Sequence, residues 1–146
     1  MPDTEPLNDP LADFLRARRD EVVERWARRV RALPSARLLP EPALRDHVPH
    51  ILERIEAYLA AQVGRDEVAA RAEPHGQDRA SQGYDLEELI LEIGVLRDVV
   101  LEVRAEAGAL TGEDAVRMVR AFDPVVASVV QEWSRAGGEL GEGVAP

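Results

Sequence analysis

The chain has 146 residues, 45% of them hydrophobic and 32% charged, a globular composition with enough length for one domain and a real core. Its net charge is −10 and its 18 basic residues are all arginine, a balance that repels a nucleic-acid backbone. The absence of cysteine excludes disulfides, thiolate metal sites and a cysteine nucleophile, and no uncharged run reaches the roughly 20 residues that a bilayer span requires.

The opening "MPDTEPLNDP" has no basic apolar signal segment, so residues 1–8 are read as a disordered N-terminus of a cytoplasmic protein. Asp9 followed by Pro10 then starts a helix, with a capping side chain ahead of a proline at the first helical position. Leu11, Phe14, Val22, Trp26, Val30 and Leu33 recur at three- and four-residue spacing and predict one apolar stripe on a helix ending near Leu33. In the arginine-rich run Arg16 to Arg31, Glu21 and Glu24 stand four residues before Arg25 and Arg28. That is the favourable helical ion-pair order, so the run reads as a self-neutralising solvent face.

Pro34 and Pro40 bracket a connector whose Leu38 and Leu39 are expected to tuck onto the core. A short helix follows to about His47, and Pro49 forces a break or kink before a second helix striped by Ile51, Leu52, Ile55, Tyr58 and Leu59. Residues 64–73 offer only alanine and valine as apolar content, which predicts a partly ordered connector leading to a short helix through His75 and Arg79. Gly83 permits the positive φ of a helix C-terminus, and Asp85 with Glu88 forms a capping-box pair for the next helix.

That next helix is the most hydrophobic, with Leu86, Leu89, Ile90, Ile93, Leu96, Val99, Val100 and Val103 on a stripe that Val95 and Leu101 widen. A helix apolar on most sides is central in its bundle or lies at a subunit interface. Ile93, Val95, Leu96, Val99 and Val100 are the interface candidates. Thr111 caps the last helix, whose stripe is Val116, Val119, Phe122, Val125, Val126, Val129, Val130 and Trp133, with a kink expected at Pro124. Residues 137–146 read as a flexible glycine-rich tail. The fold class is all-α with five to six helices over residues 9–136.

Three histidines raise the question of metal. His47 and His50 are spaced to share an ion with His75 or a carboxylate as third ligand, but Pro49 between them breaks the helical register, and no metal is expected. His75 and Arg79 share a helix face next to Tyr84. This corner is either a polar joint, with Arg79 paired to Glu88 or Glu92 and the Tyr84 hydroxyl on backbone, or a sensory pocket in which His75 ligates haem iron or titrates. Enzyme signatures such as the P-loop, Gly-x-Ser-x-Gly and His-Glu-x-x-His are missing, and the carboxylates are distributed as helix surface.

Four segments stand in a characteristic order: "RRDEVVERWARRVRALPSA", "LRDHVPHILERIEAYL", "HGQDRASQGYDLEELILEIGVLRDVVL" and "VRAFDPVVASVVQEW". Together, over residues 11–135, they resemble the RsbT co-antagonist N-terminal domain family of bacterial stressosome proteins and sensor histidine kinases. His75, Arg79, Gly83, Tyr84 and Asp85 carry the most specific part, with Asp46, His47, Phe122 and Asp123 in support. The resemblance implies a globin-like or related helical domain that works without haem or another cofactor. It also implies a homodimer that relays a signal to a following kinase or stressosome output module. His75, Arg79, Tyr84 and His47 are the candidate ligand-binding residues, and the rival reading is a globin-like sensor of haem or another apolar ligand near His75. Family members continue into an output domain, whereas this sequence ends in the glycine-rich stretch. The expectation is a fragment or a stand-alone domain with no phosphorylating activity of its own.

Overall fold

The structure is a computed structural model describing residues 9–144, with side chains to residue 136; the N-terminal segment 1–8 and residues 145–146 lie outside it. The described residues form α1 (Pro10–Val30), α2 (Glu41–Arg45), α3 (Val48–Leu59), α4 (Arg65–Ser81), α5 (Leu86–Glu106) and α6 (Gly112–Val144), with a 3-10 turn at Ala36–Leu38 and no strand. The all-α expectation holds. α4 packs most extensively along α6, α1 lies across α3 and α5, and α5 closes against α6.

α1 starts where the sequence places it. The Asp9 carboxylate accepts the N–H groups of Leu11 and Ala12 at 3.1 and 3.0 Å, and Arg117 of α6 pairs with the same carboxylate at 2.7 Å. Its charged face neutralises itself through Glu21–Arg25 and Glu24–Arg28, and extends to α5 through Arg25–Glu106 and Arg29–Glu102. The helix stops at Val30, short of Leu33. Arg31 then donates to the carbonyls of Ala36 and Leu39, folding the connector back, and Leu39 packs on the core while Leu38 is 89% exposed rather than tucked in. The break before Pro49 is real. The chain turns at Asp46 and His47, and Pro49 sits in the first turn of α3, where its missing N–H leaves no bond unmade.

Residues 64–73 are not a connector. Gly64 is the N-cap and residues 65–73 belong to α4, a single 17-residue helix running through Pro74. The small residues of this segment allow close packing: Val68, Ala72 and Gly76 are buried, and Gly76 lies against α6. At Gly76 an added Cβ would lie 2.6 Å from the Val129 carbonyl oxygen and 2.9 Å from its Cα, so the two backbones touch. Ser128 of α6 donates its hydroxyl to the Ala69 carbonyl at 2.6 Å, tying the helices one turn before the proline.

Gly83 has φ +86°, and Asp85 and Glu88 cap α5 reciprocally at 2.8 and 3.1 Å. Thr111 caps α6 through the Asp114 N–H at 3.0 Å. α6 then passes through Pro124 without interruption and continues to Val144, in place of the tail expected from residue 137. Its inward face also differs from the expected stripe. Met118, Ala121, Phe122, Val125 and Val129 are buried, while Val116 and Val119 are 50% and 40% exposed. Both sets recur at helical spacing, and the packing against α4 and α5 selects one of them.

A methyl group at Gly76 has no room against α6, whereas one at Gly94 would meet nothing nearer than an Arg97 side-chain nitrogen at 3.7 Å. Gly76→Ala is therefore expected to lower stability by about 1–3 kcal/mol. Gly94→Ala should be neutral or stabilising by up to about 1 kcal/mol. Chemical denaturation of the two variants checks the contrast; equal effects would contradict the close α4–α6 contact.

Candidate functional site

The side chains of His75, Arg79 and Tyr84 converge on Glu92 of α5. This residue lies on the buried face of its helix between Leu89 and Ile93, and it is fully buried. Its Oε1 is 2.6 Å from His75 Nε2 and accepts Arg79 Nε–H at 2.9 Å. Its Oε2 accepts the Tyr84 hydroxyl at 3.0 Å and the same Arg79 Nε–H at 3.1 Å. The Tyr84 hydroxyl thus goes to Glu92 and not to backbone, as the joint reading had it. Of the two carboxylates considered for Arg79, Glu92 is the partner. Glu88 instead accepts the Ser35 N–H and hydroxyl, each at 2.8 Å, pinning the first connector to the corner.

The sequence brings these groups together by simple means. His75 and Arg79 are one turn apart on α4, the positive φ of Gly83 reverses the chain, and the Asp85 cap starts α5 so that Glu92 faces back two turns later. Arg79 spends its remaining donors on the Gln82 side chain at 2.6 Å and on the carbonyls of Ala43 and Leu44 at 3.3 and 2.7 Å. Those carbonyls end the five-residue α2, which has no helical partners to offer them. The guanidinium also lies over the Tyr84 ring at 4.9 Å. Two indoles complete the frame: Trp26 of α1 donates to the Glu92 carbonyl at 3.0 Å, and Trp133 of α6 donates to the Tyr84 carbonyl at 2.8 Å. Five of the six helices therefore meet at this cluster.

Burial opposes the Glu92 charge, but the hydrogen bond from His75 and the charge and hydrogen bonds of Arg79 hold the carboxyl below its ordinary value. Burial likewise pushes the Tyr84 phenol up, and the Glu92 charge pushes it further, so its proton stays in place as a donor. For His75 burial wins over Glu92 and lowers the ring below its ordinary value. The neutral imidazole donates Nε2–H to Glu92 and leaves Nδ1 as a buried acceptor without a partner. One arginine against one carboxylate makes the cluster electrically neutral, the arrangement that a dry interior tolerates.

The candidate ligand residues His75, Arg79 and Tyr84 are brought together, all three buried, and His47 joins them at the rim, its ring meeting His75 edge to face at 5.8 Å. His47 Nε2 is 2.6 Å from Asp78 Oδ2. His50 is not brought to His47 as a metal pair; it is exposed on α3 and bonds Glu53 at 3.1 Å. The group around His47 with metal-ligand spacing is Asp46, His47 and Asp78. Glu92 is not among the candidate site residues of the sequence; its mark is a place on the buried face of α5 one turn after Glu88, between Leu89 and Ile93. Among the interface candidates, Ile93, Leu96, Val99 and Val100 are buried in the chain's own core, because α1 and α6 cover that face of α5. Only Val95 remains half-buried.

A neutral buried His75 sets the sign of the acid response. The unfolded chain takes up a proton on this histidine as pH falls through about 6.5, and the folded chain does not, so stability falls with acidification below that point. Glu92 adds to the loss at lower pH, below the ordinary carboxylate value of 4.5. His75→Gln keeps an N–H donor for Glu92 and removes the titration. Its melting midpoint is expected to decline less between about pH 7 and 5 than that of the parent, with His47 and His50 common to both. Equal slopes would contradict a neutral buried His75.

No curated protein and no solved structure matches the chain, but the family model described as the RsbT co-antagonist protein rsbRD N-terminal domain matches residues 20–138. The match runs from the middle of α1 into α6 and includes the whole cluster around Glu92. The chain belongs to the RsbT co-antagonist protein rsbRD N-terminal domain family.

Proposed function

We propose that this chain is a non-enzymatic sensory domain of bacterial signal transduction, acting in the cytoplasm as a homodimer and relaying a signal to a kinase or stressosome output module. Family membership supports the signalling role. No helix of the described residues is long and apolar enough to cross a membrane. The polar groups of the corner are spent on one another and on backbone carbonyls, which suits a rigid joint better than a catalytic site. With His75 Nε2 committed to Glu92, the same arrangement does not favour His75 as a haem ligand.

The observation that carries the dimer is an apolar groove between α5 and α6, of about 530 Å³, on the side of α5 that the fold leaves uncovered. Ile90 and Leu91 are 44% and 49% exposed there, beside Gly94, Val95 and Val126. Arg97, Asp98 and Asp123 edge the groove with both signs of charge. A patch carrying both signs complements a copy of itself under two-fold rotation, as an isologous interface requires. The interface is thus proposed on the outer face of α5, one strip away from the residues buried in the core. In this reading a signal that alters α4 or the corner shifts α6, which carries Trp133 and lies along the groove, and the output module senses α6.

Light scattering with size separation tests this. The parent should elute at twice its 16.1 kDa chain mass. Leu91→Glu should elute as a folded monomer, with stability changed by no more than about 0.5 kcal/mol because the side chain is half exposed. A monomeric parent, or a Leu91→Glu dimer, contradicts the proposed face.

A further inference from the structure

Asp46 and His47 stand in the turn between α2 and α3, and Asp78 stands on α4 one turn after His75. One ligand atom from each lies within 4.8 Å of the other two. His47 Nε2 is 2.6 Å from Asp78 Oδ2 and 3.8 Å from Asp46 Oδ2. Donors that each bind zinc at about 2.0–2.2 Å lie roughly 3–4 Å apart in one coordination sphere, so small side-chain rotations bring all three onto a single ion. Asp46 and Asp78 place two carboxylates around one imidazole at the surface of a strongly acidic protein.

A second feature lies directly behind this group. The His75 ring is fully buried and meets the His47 ring at 5.8 Å with an interplanar angle of 88°. Its Nδ1 has no hydrogen-bond partner. The ring that carries this unpartnered acceptor is thus in direct contact with the ring of a ligand residue.

We propose that Asp46, His47 and Asp78 form a binding site for one divalent transition-metal ion of the zinc, cobalt and nickel class. One imidazole and two carboxylates, with no thiolate, suit these ions better than soft ones, and three protein donors leave coordination positions for water. The ion takes His47 Nε2 out of its bond with Asp78 and fixes the His47 ring against His75. His75 in turn holds Glu92, so the occupied site connects the surface to the buried cluster. Should the signalling role hold, this is an entry point for the signal; the binding itself stands without that role.

Calorimetric titration of tag-free, chelator-treated protein with zinc sulfate, repeated with cobalt chloride, tests the site. The expected result is one ion per chain, with affinity weakened at least about tenfold in His47→Ala and in Asp78→Asn and unchanged in His50→Ala. Asp46→Asn, at a 64% exposed side chain that leaves the core untouched, should also weaken binding. In the nuclear magnetic resonance spectrum, the His75 ring signals should move on zinc addition. The proposal is overturned by absence of one-to-one binding, by parent affinity in His47→Ala or Asp46→Asn, or by an equal loss in His50→Ala. None of these outcomes bears on the dimer, which is read from mass.

Discussion

A carboxylate with no access to water must be compensated or it will not ionise, and the domain is arranged around that requirement at Glu92. Three side chains answer it: His75 and Arg79 from α4, and Tyr84 from the corner. Each has further obligations. Arg79 satisfies the end of α2, and the Tyr84 carbonyl receives Trp133 from α6. The carbonyl of Glu92 itself receives Trp26 from α1. Removing one partner from such a pair leaves a buried charge and costs about 3–5 kcal/mol, so the cluster fixes the relative placement of its helices more sharply than apolar packing alone.

The second constraint is proximity. α4 carries little apolar bulk, and its burial depends on the absence of a side chain at Gly76, which lets it lie against the backbone of Val129. The shape of α4 and the chemistry of the corner therefore belong together. His75 is adjacent to Gly76, and the close approach to α6 helps to seal the histidine from water. A displacement of α6 along α4 would loosen that seal, which gives the proposed relay a physical route from the joint to the last helix.

Much of the architecture was legible in local signals. The Asp9–Pro10 start, the Gly83 reversal, the Asp85–Glu88 capping box and the Thr111 cap each act within four residues, so no tertiary knowledge was needed. The turn before Pro49 and the ion-pair order along α1 belong to the same class. Two departures share the opposite cause. α4 looked like a connector because close packing rewards small residues that periodicity does not weigh. The inward face of α6 was placed on Val116 and Val119 rather than Met118 and Ala121, because two faces of that helix are apolar and only its neighbours decide between them. Of the interface candidates Ile93, Val95, Leu96, Val99 and Val100, all but Val95 lie under α1 and α6 in the chain's own core. At the corner, His75, Arg79 and Tyr84 announced themselves by spacing, while Glu92 was hidden among the many glutamates of a charged chain. Its distinguishing mark is its position in the apolar stripe.

The central claim is that Glu92 and its cationic partner act as one unit within the core. A double-mutant cycle measures this directly, with Arg79→Met, Glu92→Leu and the two combined, each unfolded by denaturant. The account predicts a coupling of at least about 2 kcal/mol, the double variant losing much less stability than the sum of the single losses, because the second substitution removes the charge that the first left unpaired. Losses that add to within about 0.5 kcal/mol would contradict it.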